Sequence, residues 1–135
     1  MVYDSAYQIL SDPGMHVEEL RDLVIQTLED MKAFDIVSLD VRGKTSITDF
    51  FVIASGTSDR HVKSAAESVA FQAKQAGLPP IGIEGLAEGE WALIDLNGVV
   101  VHVMQRKVRD FYQLERLWSV DPTAAEKLSK ERGAS

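Results

Sequence analysis

Chemistry in this sequence would have to come from a few scattered carboxylates, its histidines, or one glycine-led turn. Asp40, Asp49 and Asp95 fall near the ends of apolar runs, where carboxylates can hold divalent metal for phosphoryl transfer in a nucleotidyltransferase-like site. That chemistry wants two acids alternating on one strand. Asp95 has Leu93 and Asn97 as same-face neighbours, and Asp40 has Ser38 and Arg42, so neither offers the second acid. Solvated or turn-capping carboxylates are the plainer expectation.

His16, His61 and His102 are too far apart in sequence to read as a ligand set. His102 interrupts an apolar strand, so it either points into a pocket or is packed with its ring hydrogen-bonded, the second being expected. Gly56-Thr57-Ser58 could place backbone amides against a phosphate at a helix start. It lacks the lysine and glycine spacing of a phosphate-binding loop and the glycines of a dinucleotide fingerprint, so a capping turn is expected. No G-x-S-x-G motif is present, and the absence of cysteine excludes thiol chemistry, thiolate metal sites and disulfides. No catalytic residue, metal ligand or cofactor site emerges, and the chain is expected not to be an enzyme. Trp91 stands apart. It opens a strand beside a glycine-bearing loop, where a large ring can be part core and part exposed and can anchor a protein partner. The competing reading places it wholly in the core.

The elements that position these residues follow from periodicity. From His16 to about Lys32, Val17, Leu20, Val24, Leu28 and Met31 recur at three and four, which predicts an amphipathic helix. Ile36, Leu39 and Val41 mark a first strand. Phe50 to Ala54 is a continuous apolar run suited to a central strand, antiparallel to the first. Ser58 or Asp59 caps a helix with a stripe of Val62, Ala65, Ala66, Val69 and Ala73, ended by Gly77. Ile81-Gly82-Ile83 is a short strand, completing a unit long enough for a parallel crossover from Phe50. Glu90 to Met104 reads as a hairpin turning at Asn97-Gly98 in a type I′ turn, its second strand covered on both faces. Val108, Phe111, Tyr112, Leu114 and Trp118 lie on a last helical segment. The fold class expected is α/β, a single domain with a mixed β-sheet flanked by helices. Residues 1–14 read as an N-terminal extension, 15–119 as the domain and 120–135 as a C-terminal tail.

A chain of 135 residues with 45% apolar content suits one core. No apolar run approaches a membrane span and no basic leader is visible, so the cytoplasm is the expected location. A formal net charge of -7 disfavours direct wrapping on nucleic acid and favours a basic protein partner.

The sequence resembles the ribosomal silencing factor family, also called Iojap-like. The resemblance runs through Asp35 to Val41, Thr48 to Val62, Gly82 to Gly85, Trp91 to Asp95, Val101 to Met104, Arg109 and Tyr112 to Trp118, in family order. It implies a nucleotidyltransferase-like fold without the catalytic acids. It also implies a protein that binds large-subunit ribosomal protein fourteen, uL14, obstructs small-subunit joining and lowers translation when nutrients are short. The family's interface tryptophan maps onto Trp91, with Asp95, His102, Arg109 and Tyr112 as supporting partner-binding positions. Homodimers are implied as possible, and direct RNA contact as secondary. A small metal-dependent enzyme acting on nucleotides is the rival reading, and an RNA-binding module a further one.

Overall fold

A computed structural model describes residues 15–112 of the chain, with backbone alone for Phe111 and Tyr112. The extension and tail expected from the sequence lie outside the described residues, as does the last helical segment beyond Tyr112. Helix α1 spans Val17–Asp30 and is followed by β1 (Phe34–Asp40), β2 (Phe50–Gly56), α2 (Asp59–Gln75), β3 (Gly82–Glu84), β4 (Trp91–Asp95), β5 (Val99–Gln105) and α3 (Arg106–Tyr112). The five strands form one mixed sheet in the order β1-β2-β5-β4-β3. β2 and β5 run parallel at its centre, and every other neighbouring pair is antiparallel.

The two faces of the sheet separate the apolar residues by alternation. Phe50, Val52 and Ala54 of β2, with Val99, Val101 and Val103 of β5 and Ala92 and Ile94 of β4, pack beneath α1 and α2. The small residues of α2 (Ala65, Ala66, Ala73) let that helix sit close, and Leu20, Val24 and Leu28 bring in α1. On the opposite face lie Phe51, Ile53, Trp91, Leu93, Val100 and Met104, joined by Val108 of α3. Because β2 and β5 are buried on both faces, they read as unbroken apolar runs rather than as alternation.

Local signals set the element ends. Glu19 accepts a hydrogen bond from the His16 N–H at 2.9 Å, and the Ser58 hydroxyl accepts from the His61 N–H at 3.1 Å at the start of α2. Gly77, with φ +86°, lies just past the C-cap Ala76 of α2, the left-handed position glycine fills best.

The crossover from Phe50 does end in a strand parallel to β2, and that strand, β3, pairs with β4 at the far edge. Two expectations need revision. β1 begins at Phe34, two residues before Ile36, because a bulge between Phe34 and Val37 with Asp35 at φ 51° breaks the alternation. The hairpin turn is not type I′, since Asn97 has φ 76° and Gly98 is not in the left-handed region. The Gly98 N–H instead donates to the Leu96 carbonyl at 3.1 Å. Gly98 is accommodated for space: a Cβ there would stand 2.7 Å from a methyl of Val17.

Candidate functional site

Trp91 opens β4 and His102 lies inside β5. Trp91 faces Met104 and His102 faces Leu93, so the two rings are diagonal neighbours on the face opposite α1 and α2. The Trp91 indole N–H donates to His102 Nδ1 at 2.8 Å. An indole nitrogen can only donate, so Nδ1 is the acceptor and the imidazole is neutral with its proton on Nε2. The ring centroids lie 5.8 Å apart, and Phe51 stands 6.1 Å from His102 on its other side. Trp91 is 3% exposed and His102 is fully buried. The ring, expected to be either part exposed or wholly in the core, is packed in the core of this sheet face with Leu93 and Met104. His102 is the packed histidine expected, with the indole as its partner.

Burial holds the His102 imidazole far below its usual range, to about 3. The native state stays neutral while the unfolded chain takes up a proton below its ordinary value near 6.5. Stability from this group is thus complete above pH ~6.5 and is lost as pH falls towards ~3, at up to roughly 1.4 kcal/mol per pH unit. Chemical denaturation at a series of pH values checks this. The slope attributable to His102 should vanish in His102→Gln, whose side chain does not titrate.

Arg109 is buried and turned inward. Its guanidinium donates to the Ser55 hydroxyl at 2.9 Å and to the Asp35 carbonyl, fastening α3 to β2 and to the bulge of β1. Its guanidinium is thus engaged within the free chain. Ser55 lies opposite Met104, which lies opposite Trp91, so Arg109 belongs to the same end of the same sheet face. Asp95 is half-buried on this face two rows away, and its carboxylate accepts from the Asn97 N–H at 2.9 Å, holding the hairpin turn. Tyr112 closes α3, and its side chain lies outside the described residues.

The parallel pair β2/β5 feeds α2 onto one face and α3 onto the other. The crevice at the ends of such strands is where open α/β sheets bind nucleotides. Here the loop before β4 packs against the start of α2: a Cβ on Gly89, which has φ +70°, would stand 2.7 Å from both Cβ and the carbonyl oxygen of Asp59. Gln105 secures that loop, donating from its side chain to the Gly89 carbonyl at 3.1 Å and from its backbone to Glu90 at 2.9 Å. The Thr57 amide in the Gly56-Thr57-Ser58 turn is likewise engaged. The Thr57 N–H donates to His61 Nδ1 at 2.9 Å, and His61 Nε2 donates to the Met31 carbonyl at 2.7 Å, tying the start of α2 to the end of α1. This imidazole bracket has no signature in the sequence beyond the spacing of Thr57 and His61. The turn is a capping turn, as expected.

Asp40, Asp49 and Asp95 all lie towards the opposite end of the sheet without forming a ligand set. Among the described residues no three His, Asp or Glu side chains come together as a metal-binding group. Asp40 is held by Arg42 at 2.7 Å, and the hydrogen bonds from that guanidinium bring its carboxyl down to about 2. Arg42 also pairs with Glu18 at 2.7 Å and lies over the Phe50 ring. Among the described residues no helix is long and apolar enough to cross a membrane.

Fold and site together define a mixed-sheet α/β domain in which the residues conspicuous in sequence build the sheet and its borders. A model of the family described as "Ribosomal silencing factor during starvation" (RsfS) matches residues 15–135. Ribosomal silencing factor RsfS of Chromobacterium violaceum is 45% identical over 104 residues, covering 77% of this chain and 85% of that protein. The Haemophilus influenzae protein of the same name is 44% identical over 100 residues, 74% of this chain and 98% of its own. The crystal structure of protein CV0518 from Chromobacterium violaceum superposes with a TM-score of 0.76 at 45% identity, over 78% of this chain and 88% of that one. The chain belongs to the ribosomal silencing factor family, and ribosomal silencing, a form of translation regulation, is its general role.

Proposed function

We propose that this protein binds the large ribosomal subunit through uL14, in the cytoplasm, and there blocks small-subunit joining, repressing translation when nutrients are scarce. Membership of the silencing-factor family along residues 15–135 carries the reading. A physical observation supports it. A net charge of -7 suits the basic proteins of a ribosome and speeds their encounter. In this reading the protein acts by occupancy rather than by catalysis. Trp91 and His102 hold the sheet in shape behind the contact surface, and Asp95 stands at its half-exposed rim.

The test is sedimentation with separated subunits. Added to large subunits before mixing, the protein is expected to co-sediment with them and lower the yield of joined ribosomes, whereas preassembled ribosomes resist it. Equal binding to small subunits, or unchanged joining at saturating protein, overturns the proposal. Dimer formation, implied by the resemblance, is read in the same runs from the sedimentation of the free protein.

A further inference from the structure

A further contact surface is to be sought among side chains that reach solvent. Among the described residues the exposed large apolar ones are Ile47, Phe71, Ile81 and Ile83. Ile47 and Phe71 are isolated, one in the β1–β2 connection and one on the side of α2 turned away from the sheet. Ile83, 40% exposed, lies in the edge strand β3, and Ile81, 68% exposed, immediately precedes it, its N–H donating to the Asp95 carbonyl at 2.8 Å. Ile83 lies opposite Ile94, a core residue beneath α2, so the two isoleucines continue the core face of the sheet out into water.

Edge strands in natural proteins are usually blunted by lysine, proline, a bulge or a covering element. Pro79 and Pro80 precede this edge, but Ile81 to Glu84 contains none of these residues. The chain from Gln75 through this edge carries charge of one sign. From Gln75 to Gln105 the chain carries Glu84, Glu88, Glu90 and Asp95 and no lysine or arginine. Glu84 lies within β3, Asp95 lies opposite Gly82, and Glu88 is exposed in the following loop. By alternation Glu84 and Asp95 fall on the sheet face opposite Ile83, and an edge with apolar residues on one face and carboxylates on the other suits an extended polypeptide in which apolar side chains alternate with lysine or arginine. It repels a phosphate backbone and offers no aromatic ring for a base to stack on.

We propose that the β3 edge receives an extended basic segment of a large-subunit ribosomal protein, with Ile81 and Ile83 as its apolar contacts. This rests on the reading of the protein as a large-subunit binder.

The test uses the full chain with purified large subunits. A benzophenone photocrosslinker in place of Ile81 is expected to join the chain to a lysine- or arginine-rich stretch of a ribosomal protein. Crosslinking to ribosomal RNA or to a second copy of this chain overturns the proposal, as does none while the wild type co-sediments. Ile83→Lys and Ile81→Lys are each expected to weaken co-sedimentation at least about tenfold with unchanged melting, whereas Phe71→Lys retains affinity. Ile81, the more exposed, keeps the test decisive should Ile83→Lys lose stability. Wild-type affinity in both lysine variants overturns the edge site alone. Failure of the wild type to bind large subunits overturns the functional reading and this site with it.

Discussion

Trp91→Ala should cost the domain about 3–5 kcal/mol of stability and lower its melting temperature by on the order of 15 °C. The ring is 3% exposed, so truncation opens a cavity among Met104, Leu93 and Phe51, and it also removes the donor that His102 Nδ1 receives at 2.8 Å. A domain of this size is typically stable by about 5–15 kcal/mol, so the loss is a large fraction of the whole. Trp91→Phe separates the two contributions: it keeps most of the apolar volume and loses only the N–H, at roughly 1–3 kcal/mol. Thermal unfolding and large-subunit affinity measured on the same variants give the answer. Affinity that follows the folded fraction supports the structural role. Wild-type melting with lost binding would make Trp91 the direct anchor after all.

Gly85→Ala should be comparably damaging, although it adds a single carbon. Gly85 has φ +84°, a conformation L-residues adopt at a cost of roughly 1–2 kcal/mol, and its Cβ would run into the backbone carbonyl of Trp91. Backbone cannot rotate away as a side chain can, so overpacking adds about 1–3 kcal/mol as the loop separates from β4. Gly77→Ala provides the contrast. Its φ of +86° is nearly the same, yet nothing lies within 4 Å of the new carbon. Only the conformational part, about 1 kcal/mol, should appear there. Denaturant midpoints for the two variants test whether close approach, rather than φ, dominates at Gly85; equal losses would refute it.

Which parts of this molecule were legible in the sequence follows from how far each cause reaches along the chain. The apolar run at Phe50, the small-residue stripe of α2 and the Ser58 cap are decided within a few residues, and each stands where periodicity places it. The turn at Asn97-Gly98 reads as type I′ locally, but its conformation answers to Val17 in a distant helix and to the Asp49 and Phe50 amides, which donate to the Gly98 carbonyl at 3.1 Å. Asp35 escapes alternation for a similar reason, since its carbonyl is held by Arg109. Trp91 and His102 each attract notice singly, yet their meeting depends on strand register, and the burial of the indole depends on the whole sheet face. Arg109 shows the same limit: a charged residue on a helix reads as surface until Ser55 and Asp35 are brought beneath it. The family was legible because its residues recur in order along the chain, information that composition and periodicity do not contain.

The parallel contact between β2 and β5 also bears on how the chain reaches this fold. Phe50 pairs with Val99 and Gly56 with Gln105, so the centre of the sheet is closed by segments about fifty residues apart. Loop-closure entropy must be met before this contact forms, which makes it a natural slow step in folding. Until then Phe50 to Ala54 is an apolar strand with an open edge on the side β5 will occupy, the kind of segment prone to aggregate. During synthesis α1, β1, β2 and α2 emerge before the strand that completes their core. The interval before Val99–Gln105 arrives is therefore when the apolar centre of the sheet stands uncovered on one side.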